Sequence, residues 1–186
     1  MNISEVKKYA LEHNLPLLQP EKLRDEDFIE NLKSLNADVF VVVAFRMLPQ
    51  VVWSIPKKGT FNLHGSLLPQ YRGAAPINWA IMNGDKETGV TTFLIDEKID
   101  TGNILISDKV EIGENDNVGK IHDEVMQIGA RLVVKTLDGL ENDSLKPHPQ
   151  DETLEIKHAP KIFKEDCKID WNDNIDNIHN KIRGLS

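Results

Sequence analysis

The chain has 186 residues, 40% hydrophobic and 28% charged, a balance that excludes a disordered tail and suits one soluble globular domain with a real core. A net charge of -8 without clustered Lys and Arg excludes nucleic-acid binding by charge alone. The single cysteine, Cys167, excludes an internal disulfide, no apolar run approaches the roughly 20 residues of a membrane span, and Met1–Ala10 lacks a signal stretch, so a cytoplasmic location is expected.

From the N-terminus, Val6, Tyr9 and Ala10 predict a short helix over Ser4–His13, stopped at Asn14-Leu-Pro16. A brief strand is expected at Leu15–Leu18. Phe28, Ile29, Leu32 and Leu35 then mark a helix over Asp25–Leu35, with acidic residues at its positive end. Ala37–Phe45 is apolar and β-branched without alternation, which predicts a strand buried on both faces of a parallel sheet. A loop with a short helical turn should occupy Arg46–Pro56, and Gly59–His64 reads as the next strand.

Ala74–Met82 predicts a helix with Pro76 in its first turn and Asn83-Gly84 at its end. Val90–Ile95 is a strand, and Ile104–Ile112 alternates like a half-exposed one. Val118, Ile121, Val125, Ile128 and Leu132 repeat at helical spacing over Val118–Leu140, with Asn117 as the cap. The charged, proline-containing stretch 142–161 reads as a surface connection with a short strand near Thr153–Lys157, before a last helix at Ile175–Ile182. The alternation of strands and helices predicts an α/β fold, a mostly parallel sheet flanked by helices.

No dinucleotide fingerprint, P-loop, Cys-x-x-Cys or His-Glu-x-x-His occurs, and Ser66 does not stand in a nucleophile elbow. The six histidines lack metal-ligand spacing, so no metal is expected. What remains is the polar stretch Phe61–Pro76. Asn62 and His64 stand two apart and would share one face of a strand that ends in a loop, where α/β proteins place chemistry. One carboxylate should join them. Asp100 is favoured because a loop after a parallel neighbouring strand would emerge at the same end, with Asp96 and Glu97 as competitors. Asn, His and Asp together can stabilise an oxyanion and move a proton, which suits attack of an amine on a carbonyl carbon. Read singly, each also fits an ordinary loop or turn role.

Three segments carry a resemblance: Phe61–Ile81 (FNLHGSLLPQYRGAAPINWAI), Asn83–Thr92 (NGDKETGVTT) and Ile99–Leu105 (IDTGNIL). With them the chain, from Val6 to Ser186, resembles the folate-dependent formyltransferases, and among these the branch acting on methionyl-tRNA. The resemblance implies a Rossmann-like formyltransferase fold. It also implies that Asn62, His64 and Asp100 are catalytic: Asn62 and protonated His64 bind the oxyanion, and Asp100 holds His64 cationic. The formyl donor implied is 10-formyltetrahydrofolate, walled by Phe45, Arg46, Met47 and Leu48, with Ile95, Asp96 and Ile99 on the loop that bonds it through main chain. Met47 and Leu48 could equally be core residues.

Ser66, Leu67, Leu68, Pro69 and Arg72 fall on the substrate side by the same resemblance. The leucines and Pro69 would act mainly by shaping the loop; Arg72 would meet the RNA acceptor end or pair with a surface carboxylate. The partner implied is initiator methionyl-tRNA, with no membrane and no protein partner. The family's opening strands and its basic C-terminal barrel are not matched here. Residues 1–140 are therefore expected to be a partial catalytic domain lacking its first strands, and 141–186 a connection toward a further domain. Rival readings are an amino-sugar-nucleotide formyltransferase, which shares His-Gly-Ser-Leu-Leu-Pro, and a non-catalytic folate-binding module.

Overall fold

A computed structural model describes residues 3–44 and 47–186. Its helices are α1 (Glu5–Glu12), α2 (Glu26–Ser34), α3 (Gln50–Trp53), α4 (Pro76–Met82), α5 (Val118–Glu141) and α6 (Ile175–Gly184). Ser4, Asp25, Asn117 and Asn174 cap the four longer ones, each with extended backbone and a side-chain oxygen accepting a first-turn N–H. Pro76 takes the first position of α4, where its missing N–H costs nothing. None of these helices is long and apolar enough to cross a membrane.

The strands are β1 (Phe40–Val43), β2 (Thr60–His64), β3 (Arg72–Gly73), β4 (Glu87–Leu94), β5 (Ile104–Glu111) and β6 (His158–Ala159). Four form a sheet in the order β1-β2-β4-β5, while β3 and β6 make a separate parallel pair. The helix-flanked α/β arrangement is as predicted, but the sheet is mixed rather than mostly parallel. Only β1 and β2 run parallel; β4 is antiparallel to both β2 and β5.

The core lies between the sheet and α5. Ile121, Val125, Gly129, Leu132, Thr136 and Gly139 form its buried stripe, against Val90 and Val110 of the sheet. Gly129 lets the helix approach closely: a Cβ there would stand 2.8 Å from Leu63 Cδ2. The hydroxyls of Thr92 and Thr136 satisfy each other at 2.9 Å across that interface. Ala80 and Ile81 of α4 join the same core, and α4 packs against α6.

Three sequence expectations give way. The strand foreseen over Ala37–Phe45 is four residues long, lies at the sheet edge and is partly exposed, with Val41 and Val43 40% and 55% accessible. It ends at Val43, before Ala44, whose φ of 47° leaves extended backbone; Phe45 lies outside the described residues. Leu15–Leu18 forms no strand: Leu15 N–H turns back to close α1 on the Ala10 carbonyl at 2.9 Å, and no strand ladder includes this segment among the described residues. Nor does Thr153–Lys157. The pairing starts one residue later, because the Lys157 carbonyl accepts Tyr71 N–H at 2.6 Å and leads directly into the β3–β6 ladder.

Candidate active site

Side chains of β2 alternate between faces, and Asn62 and His64 share one as predicted. His64 is 6% exposed, and its Nε2 lies 2.8 Å from the Tyr71 carbonyl oxygen. A carbonyl only accepts, so Nε2 carries the proton and Nδ1 is the nitrogen left for chemistry. Nδ1 stands 4.0 Å from Asp100 Oδ2, beyond a direct hydrogen bond yet within reach of charge attraction.

The loop 65–71 aims that Tyr71 carbonyl. Ser66 Oγ donates to Gln70 O at 2.6 Å, Thr91 Oγ1 donates to Ser66 O at 2.7 Å, and Leu68 N donates to Thr91 Oγ1 at 3.2 Å. Tyr71 itself has a φ of 60°. Its phenol donates to Asp85, which also takes the Lys157 ammonium. Burial, reinforced by Asp85, pushes the phenol above its ordinary range, and the Asp85 bond raises Lys157. Ser66, Leu67, Leu68 and Pro69, expected on the substrate side with the leucines and Pro69 mainly shaping the loop, all belong to this turn. Ser66 is fully buried, Leu68 packs with Phe93 and Ile104, and none of the four lines the cavity described below. Their hydrogen bonds and packing are spent on loop shape.

Asp100 reaches the site by a different route from the one predicted. Because β4 is antiparallel to β2, Leu94 pairs with Phe61 near the start of β2. The 95–103 loop must fold back toward His64, and its backbone shows how: Asp100 has a φ of 56° and Oδ2 accepts Gly73 N–H at 2.9 Å. Gly73 has a φ of +127°, and a Cβ there would overlap the Ala159 carbonyl. Neither competitor forms an ion pair with His64 among the described residues. Asp96 Oδ1 accepts Lys98 N–H at 3.0 Å and the Thr101 hydroxyl at 2.8 Å, closing the loop on itself, while Glu97 is exposed.

Asn62, His64 and Asp100 line one cavity of about 1360 Å³, roomier than the ~300–1,000 Å³ of a single small-ligand pocket. Met47, Leu48, Ile95, Asp96 and Ile99 line it too; Phe45 and Arg46 lie outside the described residues. Met47 and Ile99 are 72% and 61% exposed, so neither is plain core. Asn62 Oδ1 is buried with no partner among the described residues, which costs about 1–3 kcal/mol unless a ligand N–H meets it. An apolar wall beside an unpaired amide oxygen fits a flat, N–H-bearing ring system such as a pterin.

Arg72 does not line the cavity; of its two expected roles, contact with the RNA acceptor end or pairing with a surface carboxylate, the structure shows Glu152 Oε1 4.0 Å from its Nη2. Its Nε and Nη2 donate to Gln150 Oε1 at 3.1 and 2.7 Å. Gln150, 7% exposed, comes from the stretch expected to be a surface connection. Nothing in the local sequence marks it: its partners lie 48 to 78 residues away.

Residues 2–137 match the family described as formyl transferase, and 161–186 match the formyl transferase C-terminal domain. The chain is 60% identical to a methionyl-tRNA formyltransferase of Azobacteroides pseudotrichonymphae, and 56% to that of Bacteroides thetaiotaomicron. Each alignment covers 98% of this chain and 58% of the relative, so the chain spans little more than half their length. Among solved structures, HypX of Aquifex aeolicus in complex with tetrahydrofolic acid is 26% identical with a TM-score of 0.70, over 85% of this chain and 28% of that one. The sugar 3N-formyltransferase WlaRD, solved with dTDP and 5-N-formyl-THF, is 25% identical with a TM-score of 0.74, over 97% and 62% of the two chains. In fold, in sequence and in the Asn–His motif of β2, this Rossmann-like chain belongs to the formyl transferase family.

Proposed function

We propose that the protein transfers the formyl group of 10-formyltetrahydrofolate to the amino group of initiator methionyl-tRNA. The observation that carries this reading is the convergence of Asn62, His64 and Asp100 on one cavity, in a chain 56–60% identical to methionyl-tRNA formyltransferases. In the reaction, the amine nitrogen bonds to the formyl carbon, the bond from that carbon to the folate nitrogen breaks, and the amine proton passes to the leaving nitrogen.

Asn62 has both ends available: its N–H group donates to the developing oxyanion, and its unpaired Oδ1 accepts an N–H. His64 acts through Nδ1, since Nε2 is committed to Tyr71. Protonated there, it donates to the oxyanion, with the Asp100 carboxylate 4.0 Å from Nδ1. Deprotonated, it accepts the proton the amine sheds. Met47, Leu48 and Ile99 form the apolar side of the donor site, and the 95–99 backbone its polar side. Residues 1–140 act as the catalytic part. Residues 141–186 close one side of it.

The test is formyl transfer by the purified full-length protein, offered methionyl-tRNA or an amino-sugar nucleotide, with folate binding measured alongside. Formylation of methionyl-tRNA alone is expected. Transfer to the sugar amine instead would overturn the acceptor, and folate binding without transfer to either would leave a non-catalytic module.

A further inference from the structure

Gln150 has all four hydrogen-bonding positions of its amide occupied. Oε1 accepts Arg72 Nε and Nη2 at 3.1 and 2.7 Å, and Nε2 donates to the carbonyls of Asp100 and Gly102, both at 2.9 Å. Arginine only donates and carbonyls only accept, so the amide has one possible orientation. The segment carrying it is pinned two residues earlier, where His148 and Ile104 exchange backbone bonds at 2.8 and 3.0 Å.

The two sides of this clamp are the two sides of the Asp100 carboxylate. Arg72 precedes Gly73, whose N–H holds Asp100 Oδ2 at 2.9 Å. Asp100 sits at a φ of 56°, a conformation that non-glycine residues keep only when their surroundings impose it. Two of the impositions are visible: the Gly73 bond on the side chain and the Gln150 bond on the carbonyl.

We propose that Gln150 is a positioning residue for formyl transfer, fixing Asp100 against His64 by tying the Asp100–Gly102 backbone to Arg72. This rests on the catalytic reading of Asp100 given above. Gln150 touches neither donor nor acceptor and acts only through the loop. Without its two N–H donations the Asp100 backbone relaxes, and the carboxylate drifts from Nδ1. Misplacement by about 1 Å at such a site costs up to ~10² in rate.

The experiment is a double-mutant cycle on kcat in the full-length protein, with Gln150→Ala, Asp100→Asn and the pair. Gln150→Ala should lower kcat about 10- to 100-fold in the wild-type background, and by less than about 3-fold once Asp100 is already Asn. Equal losses in the two backgrounds, or no loss from Gln150→Ala, would overturn the proposal. Gln150→Glu keeps the volume and the Arg72 bonds but removes both donors, so it should behave as the alanine variant does. Wild-type rate in Gln150→Glu, or failure of both variants to fold, would assign Gln150 to stability instead. Hydrogen exchange of the Gly73 amide reads the same geometry without activity: it should quicken at least ~10-fold in both variants while the Phe61 amide is unchanged. A protein inactive in every background but showing that exchange pattern would defeat the formyl-transfer reading and leave the clamp standing.

Discussion

Asn62 and His64 were legible because a strand has a period of two, so residues two apart share a face whatever the sheet around them does. Asp100 was legible only through the company it keeps in Asp-Thr-Gly, and the stated reason for its position, a parallel neighbour, does not hold. Gln150 could not have been found this way, since a glutamine acquires its role from partners 50 and 78 residues distant. Asn62→Ala should lower the rate of formyl transfer about 10²–10³-fold with the melting temperature nearly unchanged, because the amide oxygen Oδ1 has no partner among the described residues. Gly73→Ala should do both kinds of damage. Its Cβ would overlap the Ala159 carbonyl at a φ that L-residues avoid, and the displaced N–H would release Asp100; thermal melting should fall along with activity.

Among the elements, α5 was predicted to within a residue because a long amphipathic stripe with an Asn cap has no competing solution. Strand direction was not, since an apolar run carries no sign of which way its neighbour points; β4 reads the same parallel or antiparallel. The loop 65–71 explains its own sequence once its job is seen: Ser66, Leu68 and Thr91 knit the turn that presents the Tyr71 carbonyl to His64. Asp85 braces that turn from behind. Tyr71 and Lys157 are both raised above their ordinary values of 10.0 and 10.5, so the stability they contribute is complete below those values and is lost as pH climbs through the raised ones. Melting temperature should therefore decline above about pH 10 in the wild type. Asp85→Asn should melt lower at neutral pH and decline less steeply in that alkaline window; parallel curves for the two proteins would contradict the account.

For the described residues taken together, the informative surface is the edge at β1. Among the described residues β1 has a partner only in β2, and Val41 and Val43 are 40% and 55% exposed. An unpaired apolar edge is a template for association. Sedimentation of the 186-residue chain should show concentration-dependent self-association, reduced by Val41→Lys without loss of thermal stability. Monomeric behaviour of the unmodified chain at high concentration would contradict this. The second lesson at this scale concerns residues 141–186, which composition marks as a connection. Through Gln150, the His148 bridge and β6 they pack against the Asp100 loop, β5 and β3.

In the proposed reaction His64, acting through Nδ1 beside Asp100, carries the formyl transfer. That role is tested most directly by single-turnover transfer from 10-formyltetrahydrofolate to methionyl-tRNA in full-length His64→Ala, at saturating donor and acceptor. The account predicts a loss of about 10²–10³-fold against the wild type, with donor affinity changed little. A variant retaining most of the wild-type rate would contradict it.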